Sequence, residues 1–345
     1  MTLGAAFRAQ AAACQALHSP FMARLLNLLA DNWPAGPVDR YLQGFSGDIG
    51  PGGASLPLRL AGGLHALVLG GDCPQLANVY PPHAADDAQL VAALLHALDR
   101  HADGLIAWAQ SPPQTNEVRR SAALIAGAHV ATARFDLPIH LSELGASAGL
   151  NLLWDHYALR VGPQRFGPED PALTLSPDWI GPPPPRTKAQ IASRRGVDLS
   201  PIDATTPKGR LRLLAYLWPD QPQRLALTRS AASLPAPRVD QGDAIDWLQQ
   251  RLDTAPTGHL HLIQHSIAWQ YFPQQAQDRG RAMITAAGDK ATDDRPLAWL
   301  SLEAAPPAHA PGAALTLRLW PGNITLPLGR ADFHGRWIHW NGNIA

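Results

Sequence analysis

The chain predicts an α/β fold built on a mostly parallel sheet, and three features of the sequence carry that prediction. From Thr115 onward, short apolar runs suited to strands alternate with longer stretches of helical spacing, the pattern of a parallel sheet with crossover connections. One of those strands, Ile139 to Leu144, runs directly into a glycine-rich loop, Gly145-Ala146-Ser147-Ala148-Gly149. Near the end, Leu315, Leu317 and Leu319 alternate with Thr316, Arg318 and Trp320, which is the period of a strand with one buried face.

The elements follow in order. Ser19-Pro20 reads as a helix start, with serine at the cap and proline at the first helical position. Met22, Leu25, Leu26 and Leu29 then recur at helical spacing, as do Leu90, Leu94 and Leu98 after Asp86. Residues 1–112 are therefore expected to form a mostly helical cap region, and 113–345 an α/β domain. Asn116 to Phe135 reads as a helix capped by Asn116, with Glu117 complementing its dipole. After the glycine loop, Leu150 to Tyr157 reads as the next helix. Further strands are expected at Arg194 to Leu199, Arg238 to Gln241, Leu260 to Gln264 and Leu297 to Glu303. Helices are expected at Lys208 to Trp218, Ala244 to Leu252 and Gln274 to Ala287. The stretch at about 158–190 fits no strand–helix–strand unit and reads as an insertion. Phe333 to Trp340 reads as a last strand, expected to pair antiparallel with the Leu315 strand and close one sheet edge.

Composition limits the function classes. The chain has 345 residues, 46% of them hydrophobic, enough for a substantial core. Lys+Arg and Asp+Glu both number 28, so no broad basic footprint for nucleic acid exists. No apolar run approaches the roughly 18 residues that a membrane span needs. Cys14 and Cys73 are the only cysteines and form no CxxC, so a thiolate metal site is not expected and a cytoplasmic location is. The 33 prolines are scattered as loop stiffeners.

The loop's context gives it chemical meaning. Glycines after a strand allow a tight turn and close approach of a ligand, and the following helix offers unpaired N–H groups. Glu143 precedes the loop at the strand end, where open α/β sheets bind ligands. Asp198 in Val197-Asp198-Leu199-Ser200-Pro201, Asp243 in Gln241-Gly242-Asp243-Ala244, and His265 in Gln264-His265-Ser266 end the next three strands. Four strand ends thus carry polar groups on one rim.

In this order of blocks the chain resembles class I S-adenosylmethionine-dependent methyltransferases over roughly residues 115 to 345. More closely, it looks like the bacterial domain-of-unknown-function family 2332. That match rests on Gln114-Thr115-Asn116-Glu117-Val118-Arg119-Arg120, Gly145 to Leu152, Arg195-Gly196-Val197-Asp198 and Trp218-Pro219-Asp220-Gln221. It continues in His265-Ser266, Trp269-Gln270-Tyr271 and His334-Gly335-Arg336-Trp337. The methyltransferase resemblance implies a Rossmann-like sheet and S-adenosylmethionine as cofactor. It implies that Glu143, Gly145, Ala146, Ser147, Gly149 and Asn151 cradle the cofactor, that Asp198 meets the ribose, and that Gly242 and Asp243 meet the adenine. His265, with Trp269 and Tyr271, is then expected to handle the substrate chemically. Thr115, Asn116, Glu117, Arg120 and Gln270 are expected to bind a small-molecule substrate.

Two features depart from that pattern. Ser147 replaces the middle glycine of the usual loop, and the gap from Glu143 to Asp198 far exceeds the roughly 20 residues between loop and ribose acid. His140 and Ser142 are also polar for a central parallel strand. Two other readings remain. Gly145 to Gly149 matches the serine nucleophile elbow, with Asp243 and His265 or His334 completing the chain order of a hydrolase triad. A non-catalytic relative that binds a nucleotide or a partner is the third. His259 and His261 lie at period two with His265, a spacing a metal could use, but packed histidines explain the first two more simply.

Overall fold

A computed structural model describes residues 1–305 and 310–342. The chain divides into two units: Met1–Thr115 with Ala204–Ala226, and Asn116–Asp203 with Leu227–Ala345.

The first unit is helical, as expected. It contains α1 (Leu3–Ala16), α2 (Pro20–Asp31), α3 (Pro37–Gln43), α4 (Leu56–Gly70), α5 (Pro74–Ala77), α6 (Asp87–Arg100) and α7 (Ala102–Ala109). Each of α2, α3, α4 and α5 has proline in its first turn, where its missing N–H costs nothing. A capping box between Asp86 and Gln89 starts α6. Leu25, Leu26, Leu29, Leu60, Leu64, Leu90 and Leu94 form the core. Ser19 is not a side-chain cap: its hydroxyl donates to Asp220 Oδ1 at 2.6 Å, and Asp220 Oδ2 takes the Phe21 N–H at 3.0 Å. The helical unit is not one continuous run of chain. Residues 204–226, with a further helix at Pro207–Ala215, return to the helical unit.

The second unit opens with a 3₁₀ turn (Val118–Arg120) and α8 (Ser121–Phe135), followed by β1 (Ile139–Leu144). Next come β2 (Tyr157–Val161), β3 (Gln164–Phe166), β4 (Leu173–Leu175), β5 (Asp178–Ile180) and β6 (Ile191–Asp198). After α9 (Pro207–Ala215) of the helical unit and α10 (Pro222–Ala232), the chain continues with β7 (Val239–Gln241), α11 (Ala244–Asp253), β8 (Leu260–Ser266), α12 (Gln274–Gly288) and β9 (Leu297–Glu303). It ends with β10 (Ala313–Trp320), β11 (Ile324–Ala331) and β12 (Trp337–Trp340). Among the described residues the main sheet has nine strands in the order β5-β12-β11-β10-β9-β8-β1-β6-β7. β7, β6, β1, β8 and β9 are mutually parallel; β10, β11 and β12 then alternate antiparallel. Among the parallel strands, winding reverses between β1 and β8, the place where such sheets open a crevice at their carboxyl ends.

Two expectations change. The β10 and β12 strands are not paired, because β11 lies between them. That strand went unpredicted because Pro327 and Gly329 interrupt it and its first four residues are not buried. The insertion carries strands: β3-β2-β4 form a small sheet of their own and β5 extends the main sheet beside β12. After the glycine loop comes a seven-residue 3₁₀ helix, Leu150–His156, and Tyr157 already belongs to β2. No described helix is long and apolar enough to cross a membrane.

α8 packs against β8, β9 and β10, while α11 reaches β1 and β6 and α12 reaches β9. Leu144, Val197, Ile263 and Leu297 share a core with Ile245, Leu248, Leu252, Ile284, Trp269 and Trp320. This is the apolar contact that holds α11 and α12 to the sheet.

Candidate functional site at the carboxyl ends of β1, β6 and β8

Register decides which side chains meet. Glu143 stands opposite Gln264 on β8 and Gly196 on β6, and opposed residues share a face. One residue on, Leu144 and Val197 belong to the core beneath α11. Alternation therefore places Asp198 on the face of Glu143, and His265 on the opposite face with Leu144. The four strand-end groups share an edge but not a side.

On the first side the loop is built from its backbone outward. Gly145, Ser147 and Gly149 have φ of +69°, +54° and +75°, a region that glycine enters freely and serine at a cost. At Gly145 a methyl in place of the hydrogen would stand 2.5 Å from Cβ of Ala268; at Gly149 it would meet Pro237 and Val239. Asp198 organises the turn: its Oδ2 accepts from Ser147 N at 2.9 Å and its Oδ1 from Ser200 N at 2.9 Å. Ala146 N donates to Val197 O and Gly149 N to Ala146 O. Leu150 N donates to Asn116 Oδ1 at 2.8 Å, so Asn116 caps the loop-borne turn and not α8. Glu117 instead accepts from Arg119 N.

Behind the loop lies a buried polar network. Ser121 Oγ donates to Asn151 Oδ1 at 2.8 Å, and Gln264 Nε2 donates to Asn151 O at 3.2 Å. Gln264 Oε1 in turn accepts from Trp154 Nε1. The side-chain oxygen and the carbonyl of Asn151 thus help to hold the loop. Arg120 is pinned by donation to Phe333 O at 2.9 Å and Ser266 O at 3.1 Å. Glu143 is buried, and its Oε2 has no hydrogen-bond partner among the described residues. Burial pushes its carboxyl up to about 8; the Asp198 charge adds to this, while a Gln264 hydrogen bond and the Arg120 charge oppose it. The hydroxyl of Ser147 is likewise buried without a partner.

On the other side, Trp299 Nε1 donates to His265 Nε2 at 2.9 Å. Indole nitrogen only donates, so the imidazole carries its proton on Nδ1, which gives it to Glu303 Oε1 at 2.7 Å. Trp269 stacks on the ring at 5.0 Å between centroids. Both nitrogens of His265 are occupied and the residue is 1% exposed, so it has no lone pair left for a substrate proton. This corrects the expected chemical role of His265 and its convergence with Glu143 and Asp198. Trp269 is part of the core, whereas Tyr271 is 72% exposed. Gln270 Oε1 accepts from Ala304 N.

The remaining expected residues divide. Gly242 N donates to Asp198 O at 3.0 Å, which brings the third strand end against the second. Asp243 caps α11 through Ile245 N and Asp246 N, with Arg279 3.5 Å from its Oδ1. Thr115 falls in the helical unit, whereas Asn116, Glu117 and Arg120 fall in the α/β unit. Sequence reasoning missed Glu303, although an acid closing a fifth parallel strand on the same edge was a readable signal. Among the described residues, no group of three or more His, Cys, Asp or Glu side chains is placed to hold a metal ion.

Residues 4–340 match the model of the family described as "Uncharacterized protein conserved in bacteria (DUF2332)". The chain belongs to this family. The match takes in both units, so the helical region is part of the family's architecture and not an appendage. No curated protein matches the chain.

Proposed function

We propose that this member of the bacterial family is an S-adenosylmethionine-dependent methyltransferase acting on a small molecule. One observation carries the reading: a glycine loop with three left-handed residues ends the first parallel strand at the switch point, and the acid ending the neighbouring strand ties that loop by its backbone. The cofactor would supply an electrophilic methyl group, leaving the protein to align an acceptor. The residues fit such a ligand in one respect: among the described residues, Glu143 and Ser147 each keep a buried polar atom without a partner. Gly145, Ala146, Ser147 and Gly149 would face the cofactor with Glu143 and Asp198, and Asp243 would reach it from the start of α11. Glu143, its carboxyl pushed up to about 8 by burial, is a group of this edge placed to exchange a proton near neutral pH.

Calorimetric titration with S-adenosylmethionine and S-adenosylhomocysteine tests this. Saturable binding is expected, weakened at least tenfold in Asp198→Ala; no heat and no thermal shift at millimolar ligand would refute the cofactor. Tight binding without methyl transfer to any of a broad acceptor panel would instead mark a non-catalytic relative.

The left-handed φ of Ser147 favours the elbow reading as the second choice. Against it, Ser147 Oγ has no base, His265 is held by Trp299 and Glu303, and Asp243 caps a helix. Fluorophosphonate labelling lost in Ser147→Ala would reverse that order.

A further inference from the structure

We infer that Glu303 is the positioning residue of the candidate site, holding from the opposite face of the sheet the corner against which the glycine loop closes. The inference rests on the proposed reading only for what the loop binds; the positioning itself stands on contacts within the α/β unit.

β8 ends in a corner that its own residues do not favour. Ile267 has φ of +50°, an outlier for a β-branched side chain, which must be over-determined by its surroundings. Its N–H is held by Leu302 O at 2.9 Å, and the next three residues are held by one carboxylate. Glu303 Oε1 accepts from Ala268 N at 3.0 Å, Trp269 N at 3.0 Å and His265 Nδ1 at 2.7 Å, and its Oε2 accepts from Gln270 N at 3.4 Å. Four donors converge on a side chain that is 12% exposed. Burial alone would raise this carboxyl, yet the His265 and backbone hydrogen bonds prevail and hold it below its ordinary value. Glu303 is therefore an anion at neutral pH, and charge-assisted bonds of this kind are the strong ones.

The corner is also where the two faces communicate. Ala268 stands so close to Gly145 that no side chain fits between them. The ring of His265 is clamped between Glu303 and Trp299 and stacked on Trp269, so the histidine acts as a strut for the same corner. Glu303 thus sets the position of Ala268, and Ala268 bounds the first residue of the loop. This gives the His265–Glu303 pair a role other than proton transfer.

Amide hydrogen exchange on the full chain reads this without any ligand. In Glu303→Gln, which keeps the size and loses the charge, exchange is expected to accelerate at least tenfold at residues 266–271 and also at 143–151. The slowly exchanging Nδ1 proton of His265, followed by NMR, is expected to move upfield. Acceleration confined to 266–271, or none, would overturn the inference. If Glu303→Gln does not fold, Ala268→Gly decides: it leaves the four bonds to Glu303 in place and removes only the methyl facing Gly145. Residues 143–151 are then expected to loosen while the His265 signal persists, and unchanged protection at 143–151 would again be fatal. S-adenosylhomocysteine titration of the same proteins separates the two claims. No binding by the unmodified chain refutes the methyltransferase reading and leaves the exchange result to judge Glu303. Binding that Glu303→Gln leaves untouched refutes the positioning role alone.

Discussion

At the scale of single residues, Ser147 and Glu143 each carry a cost that points to use. A left-handed serine costs roughly 1–2 kcal/mol relative to glycine, and its buried hydroxyl has no partner. Glycine there would loosen the unfolded chain by about 0.4–1 kcal/mol, so strain relief wins. Ser147→Gly is expected to raise stability by up to about 1 kcal/mol in urea denaturation; a loss would mean that the hydroxyl is satisfied in solution. For Glu143 the folded carboxyl lies at about 8, above its ordinary value of 4.5. The fold therefore holds a proton that the unfolded chain releases, and the stability this represents is complete below 4.5 and lost as pH rises through 8. The slope is about 1.4 kcal/mol per pH unit at most. Glu143→Gln, which cannot ionise, should abolish it: the variant gains on the parent steadily between pH 5 and pH 8 in denaturant titrations. Parallel curves would show that the carboxyl is ionised after all.

At the scale of elements, the contact of β1 and β8 with α11 contains a polar column where parallel strands are usually apolar. His140 and His261 lie in register, with rings 5.1 Å apart. His140 Nδ1 is 2.5 Å from Ser193 Oγ, and the Ser142 hydroxyl lies 2.9 Å from His261 Nε2 while accepting from Arg251 Nε at 3.0 Å. Burial, with Arg251 and His259 adding to it, lowers His140 to about 4; burial with His140, Arg251 and Arg295 nearby holds His261 well below its ordinary value. Both rings are neutral in the fold, so stability is complete above 6.5 and is lost as pH falls from there towards 4. For His140 the loss amounts to at most about 3 kcal/mol. His140→Phe is expected to flatten the stability profile between pH 6.5 and pH 4, whatever it does to stability at pH 8. An unchanged acid slope would assign the effect elsewhere.

The two units of the whole molecule are not consecutive pieces of chain. Residues 204–226 carry buried Leu213, Tyr216, Leu217 and Trp218 within the helical unit. A fragment starting at residue 116 would uncover them, roughly 1.5–3 kcal/mol of burial for each large apolar side chain. Such a fragment is expected to aggregate, or to give a poorly dispersed NMR spectrum where the full chain gives a well-dispersed one. A monomeric, well-dispersed fragment would show that the return segment does not depend on residues 1–115 for its burial. The family match from 4 to 340 likewise spans the cut at residue 116.

Periodicity and punctuation alone determined the five parallel strands, the helical first hundred residues and the glycine loop, because those signals are local: alternation, spacing and turn residues are written within a few positions of each other. They also set Glu143, Asp198, Asp243 and His265 at strand ends. Only the tertiary structure decided which side of the sheet each one faces, since a single step of register reverses it. It alone showed that His265 is taken by Trp299 and by Glu303, 38 residues further on, and that Asn151 Oδ1 accepts from Ser121. A side chain's partners come from chain brought near by folding, and hydrogen bonds between such partners leave no spacing in the sequence to read.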